Sequence, residues 1–467
     1  MKASVFSLQE VVAVARIHPF YAAHIRYPPD AKAIQSALDS AAQEKSAPEL
    51  HLVPLTTKKV LYKTIAQLMA DTSPENTYRQ GSYLSITGGG SGGTPMLFAT
   101  DAIENRMQRA RTGEFIRACG LVEAGDWVLT THVSGHFYRS LDLTLEILEN
   151  AGASVLGAGN HMEPADVTNA LANYRVNVLS GDGSQVIKIV RHISTLAAEE
   201  RQQIKLDKII YTSEPLTPAQ RAYITDVLGP VKVCSILGSS ETGAWALRCP
   251  HLTGDHHEVS GATDFVFDSR TMLVEILDPS ILDDADNVVG EGKALPDGSP
   301  GIIVQTSLQR LKNPLVRYVS GDIGSLHPLP ELAGAGMRPT GELEHLRVLR
   351  LRGRDRRFSF KWYGSYFQFD NMEAFMQAEE WGILHWQAVL ASLESSPQLT
   401  LEVRIILSSA APKSRLIEAI ETFFFVLPEN RHLFQIKFLE RVTELERSST
   451  GGKVLNFIDK AHRELGS

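Results

Sequence analysis

Trp127-Val128-Leu129, Ser154-Val155-Leu156, Val176-Asn177-Val178-Leu179, Lys208-Ile209-Ile210-Tyr211 and Val231-Lys232-Val233-Cys234 are short apolar runs along one stretch of the chain. Each is too short for a helix and carries β-branched or aromatic residues, so each reads as a buried strand. Longer stretches around 141–150, 165–174, 185–193 and 217–228 fall between them and read as helices. Strands alternating with helices at this spacing imply a parallel sheet with crossover helices. In such a sheet ligands gather beyond the carboxyl ends of the strands. Binding residues are therefore expected in the loops that leave these runs.

Outside this block the pattern changes. Residues 1–80 read as helical and irregular, opening with an amphipathic helix on which Phe6, Val11, Val12, Val14 and Ala15 sit near helical spacing before His18-Pro19-Phe20-Tyr21 breaks it. From about 260 to 335, runs such as Met272-Leu273-Val274-Glu275-Ile276-Leu277 and Gly301-Ile302-Ile303-Val304-Gln305 alternate with turn-rich segments. They read as an antiparallel sheet or small barrel. Residues 330–341, rich in Pro, Gly and Ala, read as a surface loop. After Arg352 a separate α+β unit begins, with strands near 358–362 and 399–407 and helices near 371–378, 414–424 and 454–464. The fold class expected is α/β. A large domain, 1–351, holds a doubly wound, mostly parallel sheet and a small β-barrel-like subdomain. A small α+β domain follows at 352–467.

Composition narrows the function. At 467 residues the chain has length for two or three domains and a large core. A net charge of −8 gives no basic footprint for nucleic acid or an anionic membrane. Cys119, Cys234 and Cys249 have no paired spacing, which fits a reducing, cytoplasmic setting without disulfides. No apolar run approaches the ~20 residues of a membrane span. Gln9 and Glu10 interrupt the first apolar stretch, which makes it a poor signal peptide.

The polar loops suit a nucleotide. Ser85-Ile86-Thr87-Gly88-Gly89-Gly90-Ser91-Gly92-Gly93-Thr94-Pro95-Met96 is a glycine-dense hydroxyl loop. Consecutive backbone N–H groups with Ser and Thr hydroxyls make an anion-holding concavity, although a plain flexible turn has the same composition. It is not a Walker A loop, because no Gly-Lys-Ser/Thr closes it. Ser235-Ile236-Leu237-Gly238-Ser239-Ser240-Glu241-Thr242-Gly243 follows an apolar strand. A carboxylate there suits a Mg²⁺ ligand by its hard oxygen chemistry. Arg317-Tyr318-Val319-Ser320-Gly321-Asp322 places an Asp after a Gly turn, where one carboxylate can accept both hydroxyls of a ribose. Leu351-Arg352-Gly353-Arg354-Asp355-Arg356-Arg357 reads as a charge run or a hinge. Arg447-Ser448-Ser449-Thr450-Gly451-Gly452-Lys453 puts one ammonium on a flexible loop, able to neutralise a developing anion.

In this order the motifs resemble those of the adenylate-forming superfamily. Gly90, Ser91, Gly92, Gly93, Thr94 and Pro95 fall on its Gly-Thr-Thr-Gly-Lys-Pro loop, with Gly92 in place of a Thr and Thr94 in place of the Lys. The charge for the phosphates must then come from elsewhere, or the loop holds them more weakly. Leu237-Gly238-Ser239-Ser240-Glu241 resembles the Tyr/Phe-Gly-x-Thr/Ser-Glu motif, with Leu237 where an aromatic residue usually packs on adenine. The Asp322 motif resembles Tyr-Arg-Thr-Gly-Asp, the Arg354 segment resembles the Gly-Arg-x-Asp hinge, and Lys453 matches the Gly-Lys loop. Pro19-Phe20-Tyr21, then Leu52-Val53-Pro54-Leu55-Thr56-Thr57-Lys58, and Ser213-Glu214-Pro215 resemble segments of phenylacetate-CoA ligase-like enzymes.

The resemblance implies an ATP- and Mg²⁺-dependent ligase that activates a carboxylic acid as acyl-AMP and passes it to a thiol such as CoA. An amine or a carrier protein as acceptor, or a catalytically weak binding relative, are the alternatives. By the same resemblance Ser91, Gly92, Gly93 and Thr94 hold phosphates, and Ser213, Glu214, Pro215, Leu237, Gly238, Ser239 and Ser240 line the nucleotide site. Glu241 holds Mg²⁺, Asp322 and Arg354 hold the ribose, and Lys453 bridges carboxylate and α-phosphate. The small domain turns about the hinge. His136, Phe137, Tyr138, Gly238 and Trp245 are expected at the acyl pocket. Phe137, Tyr138, Tyr211 and Trp245 would give it flat walls suited to an aryl acid. His132 reads equally as a pocket residue or a satisfied core histidine. Cys249, His251, His256 and His257 lie close in sequence, but their spacing is not that of a zinc finger and favours a polar loop over a metal site.

Overall fold

The five apolar runs all fold as strands, and helices fall between them. The computed structural model describes residues 5–44, 46, 48–86, 97–135, 137–213, 216, 218–254, 262–282, 292–330, 344–355, 359–393, 396, 398–407, 413–446 and 454–461. Helices α1 (Leu8–Ala15), α2 (Ala31–Ala41) and α3 (Lys58–Ala70) come first. The hairpin β1 (Ser82–Ile86) and β2 (Leu97–Asp101) follows, then α4 (Ala102–Ala118). The parallel block is β3 (Trp127–Thr130), α5 (Ser140–Asn150), β4 (Ser154–Gly157), α6 (Pro164–Asn173), β5 (Val178–Asp182), α7 (Gly183–Thr195), α8 (Ala198–Arg201), β6 (Lys208–Thr212), α9 (Pro218–Leu228) and β7 (Lys232–Ser239).

Adjacent residues on these strands face opposite layers, which is why the runs are apolar throughout. Val128, Val178 and Ile210 pack with Ile116, Ile147 and Leu148 of α4 and α5. Their neighbours Leu129, Leu179 and Ile209 pack with Val167, Leu171, Val186, Ile189 and Ile224 of α6, α7 and α9. The sheet is thus doubly wound.

The segment expected as an antiparallel sheet or small barrel is antiparallel and continues this same sheet. β7 turns directly into β8 (Gly243–Arg248), and α10 (Pro250–Thr253), β9 (Thr263–Asp268), β10 (Met272–Leu277), β11 (Gly301–Ser307), β12 (Tyr318–Pro328) and β13 (Leu346–Arg354) follow. Strand order is β10-β11-β12-β13-β9-β8-β7-β6-β5-β3-β4 in one sheet of 11 strands. The antiparallel pairing of β8 with β7 covers an edge that would otherwise expose unpaired backbone groups.

The chain divides into two compact units, the first ending at Gly353 and the second beginning at Arg354. The second contains the hairpin β14 (Ser359–Trp362) and β15 (Ser365–Gln368), α11 (Phe369–Met376), β16 (Ile383–Ser392), β17 (Leu399–Leu407), α12 (Lys413–Phe423), β18 (Phe434–Phe438) and β19 (Phe457–Asp459). Its four-stranded sheet runs β18-β17-β16-β19 around a core that includes Phe360, Trp362, Phe367, Trp386 and Phe424. Where a helix was expected near 454–464, β19 pairs in parallel with β16. The reason is tertiary. Gln387 Nε2 donates to the Leu455 carbonyl at 2.9 Å, and Ala388 N–H donates to the Asn456 carbonyl at 2.8 Å. These bonds hold the segment extended along a strand edge, which outweighs its helix-compatible apolar spacing.

Candidate functional site

The turn between β7 and β8 is built to hold one carboxylate. A Cβ on Gly238 would lie 2.7 Å from the Gly243 carbonyl, and Gly243 itself has φ +70°. Only glycine fits so close a return. Inside the turn, Ser239 N–H donates to Thr242 Oγ1 at 3.2 Å and Thr242 N–H donates to Ser239 Oγ at 3.1 Å. Ser240 Oγ donates to the carbonyl of Ile86, the last residue of β1, at 2.9 Å. Glu241 is 6 % exposed. Tyr62 O–H donates to its Oε1, and Lys58 Nζ lies 3.7 Å from the same oxygen. Lys58 and Tyr62 are four residues apart on α3, hence on one face. Burial pushes the Glu241 carboxyl up, but the Lys58 charge and the Tyr62 hydroxyl outweigh it and hold the group below its ordinary value.

The back of the turn is supported by residues that sequence reading missed. Arg310 is 2 % exposed; its guanidinium donates to the Glu241 carbonyl, and to Gln108 Oε1 at 3.1 Å. Gln108 Nε2 donates to the Thr242 carbonyl at 2.7 Å. Burial lowers the Arg310 pKa to about 10, against the pull of Glu104 and Glu241. Glu104 Oε1 accepts from the Leu311 and Lys312 N–H groups at 3.1 and 3.3 Å. Burial raises its carboxyl to about 7. A signal existed in the sequence: α4 buries Asn105, Gln108, Arg109 and Thr112, a polar inward face. Such a face marks a helix packed on something other than apolar core.

A second polar group lies at the carboxyl ends of β3, β5 and β6. Asp182 Oδ1 accepts from Ser213 Oγ at 2.7 Å and from Thr212 Oγ1 at 3.3 Å. His132 is fully buried, with Nδ1 2.7 Å from Thr130 Oγ1 and Nε2 2.8 Å from Thr212 Oγ1. Burial lowers its pKa to about 4, so the ring is neutral near pH 7. His132 is thus the satisfied core histidine of the two readings. Tyr138 is 41 % exposed, and burial of its hydroxyl together with the Asp182 charge raises its pKa. Phe137 is exposed with φ 65°. Ser213 also has positive φ, 68°. Trp245 packs edge-on against Phe267 at 5.5 Å within the core of β8, β9 and β10, and Leu237 rests on the same cluster. Tyr211 is buried among the helices of the other layer. Of the four aromatic residues expected as pocket walls, Phe137 and Tyr138 are the exposed ones.

Asp322 sits on a bulge. Ile302 pairs with Ile323 and Val304 with Val319, so Ser320, Gly321 and Asp322 together face Ile303. Gly321 takes φ +80°, and Asp322 N–H donates to Ser320 Oγ at 3.1 Å. The bulge re-aims Asp322 out of the ladder. Arg317 of the same motif is fully buried and structural. It pairs with both oxygens of Glu275 at 3.1 and 3.2 Å and donates to the carbonyls of His51, Val53 and Gly292. Arg354 follows Gly353 (φ +115°) and lies over the Tyr366 ring at 5.3 Å, within the second unit. Ser91, Gly92, Gly93, Thr94, His136, Glu214, Pro215, His256, His257 and Lys453 lie outside the described residues. Cys249 is buried beside Cys119 and Cys234 in the core, and the Cys119 thiol and burial push its thiol well up. His251 Nε2 lies 2.8 Å from the Cys119 carbonyl. Among the described residues no group of three or more His, Cys, Asp or Glu side chains is placed to hold a metal, and no helix is long and apolar enough to cross a membrane.

No family model matches the chain. Phenylacetate-coenzyme A ligase of Thermus thermophilus is 27% identical over 181 residues, which is 37% of this chain and 36% of that protein. A 2-hydroxyisobutyryl-CoA ligase crystallised with 2-HIB-AMP and CoA in the thioesterification state superposes with TM-score 0.63, at 18% identity, over 98% of this chain and 89% of its own. The chain shares the fold of this CoA ligase. The same ligase in its postadenylation state gives TM-score 0.54 over 98% of this chain and 88% of its own, again at 18% identity. The donors at the Glu241 turn fit the Mg²⁺ that the motif resemblance implies. A carboxylate and serine hydroxyls are hard oxygen ligands, and Mg²⁺ commonly takes one or two carboxylates and completes its shell with water and phosphate.

Proposed function

We propose that this chain is an ATP- and Mg²⁺-dependent adenylate-forming ligase. It activates a carboxylic acid as acyl-AMP with release of pyrophosphate, then passes the acyl group to the thiol of CoA. The observation that carries this reading is the buried, ionised Glu241 on a glycine-tight turn at the carboxyl end of a parallel strand block. The named relatives, a phenylacetate-CoA ligase and a 2-hydroxyisobutyryl-CoA ligase, support CoA as the acceptor.

In this reading Glu241 would hold Mg²⁺, which would supply charge neutralisation at the phosphates, and Ser240 would touch phosphate. Asp322, turned out by its bulge, accepts the ribose hydroxyls. Ser213, fixed by Asp182, shapes the loop beside the base together with Glu214 and Pro215. Arg354 contacts the ribose, and Lys453 neutralises the charge that develops as the carboxylate attacks the α-phosphorus. Catalysis is then mostly positioning and electrostatics. Phe137 and Tyr138 favour an aryl acid.

Two substitutions test the site. Asp322→Ala is expected to weaken ATP binding about tenfold or more, the loss of a charge-assisted ribose contact. Glu241→Gln is expected to raise the Mg²⁺ concentration needed for activity. Unchanged ATP affinity together with unchanged Mg²⁺ dependence would place the site elsewhere.

A further inference from the structure

The phosphate loop lacks its cation. Thr94 stands where the resembling loop carries a lysine, and Gly92 where it carries a threonine. A polyphosphate bound near the Glu241 turn still needs a positive partner, because a buried anion without one is costly.

We propose that Lys58, the first residue of α3, supplies that charge to the phosphates beyond the α-phosphate. The inference rests on the adenylate-forming reading above. Lys58 Nζ is 3.7 Å from Glu241 Oε1, which puts it beside the carboxylate assigned to Mg²⁺. Its side chain is 41% exposed. Among the described residues its partners are that single oxygen and the face of the Tyr62 ring at 5.1 Å. A lysine is a compact charge on a four-carbon flexible stem, so it can turn from a carboxylate to a neighbouring phosphate without moving the backbone. The helix adds to this. Thr57 caps α3 by accepting the Val60 N–H, and the positive end of the 13-residue helix lies at Lys58 itself.

The competing role for the same residue is to neutralise Glu241 alone. The two roles predict different ligand profiles. A lysine serving only Glu241 loses its effect on polyphosphate once that carboxylate is made neutral, whereas a lysine on the phosphates keeps it. The series is therefore repeated in the Glu241→Gln background, where disappearance of the Lys58→Met effect overturns the assignment. Lys63, one turn further along α3, is a built-in control, because it lines a separate cavity with Phe20, Tyr27 and Leu68.

The test is calorimetric binding of ATP, pyrophosphate and AMP to the full chain, with EDTA and again with Mg²⁺. Lys58→Met is expected to weaken ATP and pyrophosphate in EDTA about tenfold or more, the worth of one charge-assisted contact, while AMP stays within about twofold. Lys58→Arg should retain most of the affinity, and Lys63→Met should bind like the parent. Retained AMP binding also certifies that the variant is folded. If Lys58→Met binds ATP and pyrophosphate in EDTA as the parent does, the assignment of Lys58 is overturned and the adenylate-forming reading stands. A parent chain that binds no ATP overturns both.

Discussion

Replacing Glu104 by Gln is expected to stabilise the protein above neutrality and to change little below about pH 4. The carboxyl is buried beneath the Glu241 turn, and desolvation raises it from 4.5 to about 7. Between those two values the folded chain keeps a proton that the unfolded chain releases. Stability therefore falls as pH rises through this window. The penalty is absent below the unfolded value and complete above the folded one. At 1.36 kcal/mol per unit the ceiling is about 3 kcal/mol. Gln keeps an acceptor oxygen for the Leu311 and Lys312 N–H groups and cannot ionise, so the penalty should vanish while both hydrogen bonds remain. The assay is urea unfolding followed by hydrogen exchange at the Leu311 and Lys312 amides, which report on the first unit alone. Parent and variant are compared at pH 5 and pH 8. A gain several times larger at pH 8 than at pH 5 supports the reasoning. An equal difference at both pH values, or a loss at pH 8, refutes it.

Two further substitutions probe the frame and the chemistry. Arg317→Ala strands the half-buried Glu275 carboxylate and three carbonyls, and should cost about 3–5 kcal/mol in urea unfolding; a loss under about 1 kcal/mol would deny Arg317 its clamping role. Lys453→Ala should slow single-turnover acyl-AMP formation by about 10²–10³-fold with ATP affinity nearly unchanged, and parent-like rates would remove Lys453 from the reaction.

The parallel block was legible because its strands are buried on both faces, so their apolar runs stand out between amphipathic helices. The turn carrying Glu241 and the irregularity carrying Asp322 were legible because each needs glycine for a tight return or a bulge. The supports of those residues were not. Tyr62, Lys58, Gln108 and Arg310 come from α3, α4 and the β11–β12 connection, far from the turn in sequence, and only the fold brings them together. Trp245 and Tyr211 follow the strand-end segments in sequence but point into the two core layers, since side-chain direction on a strand alternates and a run of residues does not reveal its phase. The extension of the sheet through β8 to β13 was hidden for a related reason. Local spacing identifies antiparallel strands without telling which edge they join. In the second unit, β19 depends on bonds from Gln387 and Ala388, partners more than 60 residues away in sequence.

Pyrophosphate release from ATP and Mg²⁺, measured with and without added carboxylic acid, tests the central claim most directly. Benzoate- and phenylacetate-type acids are set against medium- and long-chain fatty acids, with CoA added in a second step. The account predicts release that requires the acid, favours the aryl acids, and yields AMP and an acyl thioester once CoA is present. Pyrophosphate release that is absent with every acid, or indifferent to whether any acid is present, would contradict it.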